Sequence, residues 1–369
     1  MKIVIIVSGL AGHLVLRGLR AKGFSGEMIL ISEHSADFYT KPSLSNLCKM
    51  NKQPHELIQM SAQDVASTFN TAVISHQKVN RIDRQSKILH TTGGEYSYDA
   101  LVLATGAKPR DLDILPQHEN VFRVNDLWAY ESFAKSLKKQ TSLCIIGGGL
   151  IGCEFANDLK ALVNEVTIIE PTPYLMGQML PKEMSNALKS TFEDSGINVI
   201  LGQSIKHIDG SLNIALSEQI IGADVIMAAV GLVPEVSLAK QAGLEVDQGI
   251  IIDANGQTSD SSIYALGDCA QFEGAVRSYV APLKICADVI SSRLAGAEQE
   301  IIYPPRPVIV KTPLYPMCFC FHASPTQWNV EQTADGIKAL AYDQNHLVGY
   351  ALSGTFMKQR QQLSKQMNI

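Results

Sequence analysis

Two kinds of hydrophobic pattern alternate along this chain. Short, predominantly apolar runs occur at 3–7, 28–32, 101–104, 143–146, 166–169, 224–228 and 263–266, each short enough for one buried strand. Between them lie stretches with helical spacing, at about 10–22, 126–138, 153–161, 181–194 and 282–294. The remaining pattern predicts a helix over 54–68 and a strand at 72–74. It also predicts a hairpin turning at Gly93-Gly94 and short strands near 198–201, 205–208, 212–216 and 249–253. After 308 the reading changes to α+β, with strands near 308–311, 338–342 and 347–353 before a helical, glutamine-rich tail at 355–367.

One strand–helix–strand passage carries chemistry. The run 143–146 opens into Gly147-Gly148-Gly149-Leu150-Ile151-Gly152, a helix follows, and the run 166–169 ends on Glu170, 18 residues beyond Gly152. The three fingerprint glycines have separate steric reasons: a tight turn, close approach of backbone to a pyrophosphate, and close packing of helix on strand. The helix N-terminus offers free N–H groups and the positive end of a dipole to phosphates. Strand, turn, helix and terminal acid together specify a dinucleotide-binding βαβ unit. The same architecture stands 140 residues earlier, as Val7-Ser8-Gly9-Leu10-Ala11-Gly12 with Glu33 21 residues on. Here valine replaces the first glycine. If that turn requires φ > 0, a β-branched residue pays on the order of 1–3 kcal/mol of strain there.

Composition sets the bounds. A chain of 369 residues exceeds one core and implies two or three domains. With 46% hydrophobic residues, 18% charged residues and a net charge of −5, nothing points to nucleic acid. Seven scattered cysteines without a CxxC pair argue against structural metal and disulfides and for the reducing cytoplasm. The 3–7 run reads as a first strand rather than an export signal, because it passes straight into a helical pattern. No apolar run reaches the roughly 18 residues of a membrane span.

Beyond the two βαβ units, the chain has Ala104-Thr105-Gly106, Lys41-Pro42-Ser43-Leu44-Ser45, Ile263 to Ala270 (IYALGDCA) and Val310-Lys311-Thr312-Pro313. With these in this order it resembles the two-dinucleotide flavoprotein oxidoreductases, and among them the rubredoxin, ferredoxin and flavorubredoxin reductases. The resemblance implies an α/β fold of two Rossmann-like dinucleotide-binding domains plus a small C-terminal α+β domain (308–369). An FAD-binding domain (1–110 and 246–307) would be interrupted by an NAD-binding domain (111–245). It places the FAD pyrophosphate on Ser8, Gly9, Leu10, Ala11 and Gly12, the adenosine ribose on Glu33 and His34, and the adenine by Val79. Lys41, Thr105, Gly106, Gly267, Asp268, Val280 and Lys311 would line the rest of the flavin nucleotide. NADH would lie on Gly147, Gly149, Leu150, Ile151, Gly152, Glu170 and Gly231. Glu154 and Lys311 would be the catalytic pair where flavin and nicotinamide meet. Asn46 stands where many ferredoxin reductases carry a lysine.

These readings converge on an NADH-dependent FAD reductase that passes electrons singly to a small acidic carrier such as rubredoxin. Glu170 accepts ribose hydroxyls and repels a 2′-phosphate, and no Arg or Lys lies between it and Lys182, so NADH is expected over NADPH. Lys358, Arg360 and Lys365 could meet the carrier or form a solvated helix face. Cys318 and Cys320 read as core thiols, and a monomer is expected. The rivals are a disulfide reductase or peroxidase using Cys48 and a nucleotide-fold protein without turnover.

Overall fold

The structure, a computed structural model, describes residues 1–7 and 9–367. Its helices are Leu10–Ala21 (α1), Ala62–Phe69 (α2), Leu127–Ser136 (α3), Leu150–Leu159 (α4), Lys182–Asp194 (α5), Ser237–Gln241 (α6), Val280–Leu294 (α7) and Arg360–Gln366 (α8). Among the described residues no helix is long and apolar enough to cross a membrane. The chain forms two compact units. One comprises Met1–Lys41, His55–Lys108 and Leu232–Tyr303; the other comprises Pro42–Pro54, Pro109–Gly231 and Pro304–Ile369.

The first unit is built on a parallel sheet in the order Ile263–Ala265, Ala100–Ala104, Lys2–Val7, Glu27–Ile31, Ala72–Ile74. Ile5 sits at the centre, in register with Leu30 on one side and Val102 on the other. Ile3, Val4 and Ile5 are wholly buried, the condition that makes such strands uniformly apolar. The helices α1 and α7 pack closely where Gly18 faces Ser291, whose hydroxyl donates to the Val15 carbonyl at 3.2 Å.

The second unit contains another five-stranded parallel sheet, ordered Val121–Phe122, Val225–Ala228, Ser142–Ile146, Glu165–Glu170, Ile197–Leu201. It also contains an antiparallel sheet in the order Val308–Val310, Met317–Phe321, His346–Ser353, Gly336–Asp343, Gln327–Thr333. Cys318, Cys320, Tyr350 and Leu352 of this sheet pack against Leu363 and Met367, so α8 closes one face. Burial raises both thiols, to about 11 each, as expected of core cysteines. The architecture is α/β with two Rossmann-like sheets and a C-terminal α+β region.

Several expected elements differ. The single helix over 54–68 is instead a 3₁₀ turn at Pro54–Leu57, a strand at Ile58–Met60 and the helix α2. Ser61 and Asp64 form a capping box that starts this helix late, while Ile58–Met60 pairs with Phe38–Tyr39. The helix expected from 282 begins at Val280, because Pro282 occupies its first turn rather than its boundary. Two strands of the C-terminal sheet, Met317–Phe321 and Gln327–Thr333, were not expected. The tail is a 3₁₀ turn at Gly354–Gln359 before α8. The stretch from Leu232 to Glu245 belongs to the first unit.

Candidate functional site

Helix ends separate into two groups. Among helices of eight or more residues, α2 is closed by Ser61 with Asp64, and α3 by Asp126, which accepts from the Ala129 N–H at 2.8 Å. The helix α5 carries Glu183 in its first turn. By contrast, α1, α4 and α7 have neither a side-chain cap nor an acid in the first turn. At the N-caps of α1 and α4, a Cβ built on Gly9 or Gly149 would meet nothing within 4 Å. Unsatisfied N–H donors beside open space are what an anion such as a pyrophosphate requires.

In the second unit, Gly147 has φ +111, and a Cβ there would strike the Ala229 carbonyl. A Cβ on Gly152 would collide with the Gly147 carbonyl oxygen, so helix and strand touch backbone to backbone. The Gly148 peptide is held from both sides. Its N–H donates to Glu170 Oε2 at 2.7 Å, and its carbonyl accepts from the Met176 N–H at 2.8 Å. Glu170 Oε1 accepts from the Thr172 N–H at 3.0 Å, which fixes the carboxylate at the strand end. Ile151 is 39% exposed in the first turn of α4, an apolar residue presented at the mouth of this cradle beside Leu150. Gly231 ends the neighbouring strand connection with φ +97, its carbonyl accepting from the Arg110 N–H.

In the first unit, Ser8 lies outside the described residues. Val7 is the last residue of the central strand, buried, and is not among the residues with positive φ. The strain considered for it therefore does not arise. A Cβ on Gly12 would come within 2.6 Å of the Val7 side chain and 3.0 Å of Ile5, so here the third glycine packs on a side chain. Gly267, at φ +78, would bring a Cβ to 3.3 Å from Ala11, which places Asp268 next to the α1 N-terminus. Gly106 has φ +69, and the adjacent Thr105 hydroxyl donates to the Glu235 carbonyl at 2.9 Å. Glu33 pairs with Lys78 at 3.2 Å, both side chains more than half exposed. The His34 N–H donates to Ser32 at 3.1 Å, Val79 opens a strand, Lys41 opens a 3₁₀ turn and Val280 is the first residue of α7.

Glu154, in the second turn of α4, is the hub of a buried network. Only 3% of it is exposed. Its Oε2 accepts from the Ser45 hydroxyl at 2.7 Å, its Oε1 accepts from the Lys311 backbone N–H at 3.0 Å, and the Lys311 ammonium pairs with the same carboxylate. One turn later, Asp158 accepts from the N–H groups of Cys48 and Lys49 at 3.1 and 3.0 Å, and Asn157 accepts from the Leu314 N–H at 3.1 Å. This one helix face therefore ties 45–49 and 311–314 to the second cradle. Sequence reasoning found Glu154 and Lys311 but missed Ser45, Asn157 and Asp158. The available signal was three polar residues at i, i+3 and i+4 on an otherwise apolar helix. The Cys48 thiol, beside Asp158, is pushed up to about 12 by burial and then by that carboxylate.

Residues 1–284 match the family described as pyridine nucleotide-disulphide oxidoreductase, and residues 300–367 match the rubredoxin binding C-terminal domain. The chain is 34% identical to a rubredoxin-NAD(+) reductase of Alcanivorax borkumensis, over 99% of this chain and 98% of that one. It is 32% identical to a nitric oxide reductase FlRd-NAD(+) reductase of Klebsiella pneumoniae, over 99% and 98%. A crystal structure of a ferredoxin reductase from Rhodopseudomonas palustris superposes with a TM-score of 0.87 at 27% identity, over 95% of this chain and 91% of that one.

Proposed function

The chain belongs to the pyridine nucleotide-disulphide oxidoreductase family, and from that premise we propose that it uses FAD to take a hydride from NADH and deliver single electrons to rubredoxin. The match of residues 300–367 to a rubredoxin binding domain is the observation that carries this choice of acceptor. Bound FAD supplies the conversion of a two-electron donor into one-electron steps that an iron–thiolate centre can accept. The residues of the chain bind, orient and tune.

The open N-terminus of α1, with Gly9 and Gly12, is assigned to the FAD pyrophosphate, and Asp268 beside Ala11 to a nearby hydroxyl. The N-terminus of α4 is assigned to the NADH pyrophosphate, with Glu170 at the adenosine ribose. A carboxylate already held by the Gly148 and Thr172 N–H groups cannot swing away from a 2′-phosphate, which supports NADH over NADPH. Glu154 holds the Lys311 ammonium by charge and its backbone by a hydrogen bond, fixing the cation assigned to the reduced flavin. Lys358 and Lys365 are exposed and fit a small acidic partner. A monomer acting in the cytoplasm completes the reading. The Cys48 alternative loses its basis, since a thiol at about 12 supplies no thiolate near neutral pH.

Anaerobic stopped-flow mixing tests the proposal. NADH should bleach the yellow flavin band far faster than NADPH, and added rubredoxin should then restore it. A colourless chain that takes up no FAD would sink the reading. Restoration by a flavorubredoxin's rubredoxin-like domain but not by rubredoxin would move the assignment to the relatives typified by the Klebsiella protein.

A further inference from the structure

His13, in the second turn of α1, is 5% exposed and has both ring nitrogens against carbonyl oxygens. Its Nδ1 lies 3.1 Å from the Gly9 carbonyl and its Nε2 lies 3.2 Å from the Ala36 carbonyl. A neutral imidazole has one N–H and one lone pair, so it satisfies one carbonyl and turns a lone pair on the other. Only the imidazolium can donate to both. The ring cannot easily turn aside, because Phe38 lies against it with centroids 5.1 Å apart. The two carbonyls also belong to different parts of the first cradle. Gly9 is the glycine turn at the α1 N-cap, and Ala36 lies three residues past Glu33, in a left-handed backbone (φ +64) that an L-residue adopts at a cost.

We propose that His13 is a proton-coupled positioning residue of the FAD site: pyrophosphate bound at the α1 N-terminus draws a solvent proton onto its ring, and the imidazolium then clamps Gly9 to Ala36. This rests on the assignment of FAD to that cradle. Two opposed effects set the balance. Burial, the larger, lowers the proton affinity of His13, while the two carbonyls and then the Asp37 charge raise it. The charged and titratable groups on α1 and around it are Arg17, Arg20 and, at its end, Lys22; Lys2 in the first strand; Glu33, His34 and Asp37 before Phe38–Tyr39; Asp64 in α2; Asp268 beside the α1 N-terminus; and Lys284, Asp288 and Arg293 in α7. Of these, Asp37 is the one whose charge bears on the ring. No acid stands in the first turn of α1. An anion arriving there supplies negative charge one turn from the imidazole, with the sign that favours protonation. The linkage follows: FAD binds more tightly as pH falls through the histidine range.

The test is the FAD dissociation constant of the full-length holoprotein, measured by dilution and recovery of flavin fluorescence from about pH 8 to about pH 6. Binding should tighten as pH falls, towards a limit of about tenfold if FAD raises the histidine's pKa by one, a limit reached only below the pKa of the free protein. His13→Gln, which cannot titrate, should bind FAD with little pH dependence and more weakly at the acid end. Should that variant fold poorly, calorimetric FAD binding to the unsubstituted chain in two buffers of different ionisation enthalpy reads proton uptake directly. A pH-independent constant, an unchanged slope in His13→Gln, or zero proton uptake would overturn the inference. Absence of FAD binding at every pH would instead overturn the function proposed above.

Discussion

The two glycine turns solve one steric problem in different ways. In the second unit, Gly147 leaves the strand at φ +111, under a carbonyl that leaves no room for a Cβ, and Gly152 packs on the Gly147 backbone. In the first unit, Val7 remains in the strand and its side chain fills the space beneath Gly12. The third glycine is required in both, but by a backbone in one and by a side chain in the other. A fingerprint glycine is therefore needed where the chain turns into the left-handed region or another backbone crowds it, and dispensable where the strand simply continues. The residue absent from the first motif is the one its geometry does not demand.

Exchanging the two solutions gives the largest expected effect. Gly147→Val places a β-branched residue at positive φ against the Ala229 carbonyl and should cost about 3–5 kcal/mol, read as a loss in urea unfolding. A cost below about 1 kcal/mol would break the comparison. Next, Glu154→Ala leaves the Ser45 hydroxyl, the Lys311 N–H and its ammonium without their acceptor. The expected cost is about 2–3 kcal/mol, below that of a fully buried pair because the Lys311 side chain is 31% exposed. A double-mutant cycle with Lys311→Met should isolate the ammonium's share, leaving the part due to the Ser45 hydroxyl and the Lys311 backbone N–H unshared.

The reciprocal substitution is smaller and has a sign opposite to what motif restoration implies. Val7→Gly completes the fingerprint yet removes a buried side chain and loosens a strand, so it should destabilise by about 1–2 kcal/mol. Stabilisation would show that Val7 is strained after all. Gly9→Ala should leave stability within about 0.5 kcal/mol, since Gly9 is extended at φ 177 and its Cβ meets no protein atom. Its effect should fall on FAD affinity, because that Cβ occupies the space assigned to the pyrophosphate. The smallest effect is expected for Cys48→Ser. NADH-driven rubredoxin reduction should keep its rate and pH profile through neutral pH, the thiol being neutral until about 12.

The local sequence determined the cradles. Apolar runs long enough for one buried strand, glycines at fixed offsets and an acid at the next strand's end are constraints within some thirty residues, and periodicity exposes them directly. What decided the rest was contact between segments far apart in the chain. Ile58–Met60 is a strand because Phe38–Tyr39 lies beside it, and Gln327–Thr333 is an edge strand with no buried residue, whose apolar alternation is limited to Trp328 and Val330, too short a signal to mark a strand. The network around Glu154 joins positions 45, 154 and 311, whose partnership no local spacing records. Whether Val7 is a defect was likewise undecidable from its neighbours. It depends on the φ of one residue and on which atoms lie under Gly12, and only the packed sheet and helix set those.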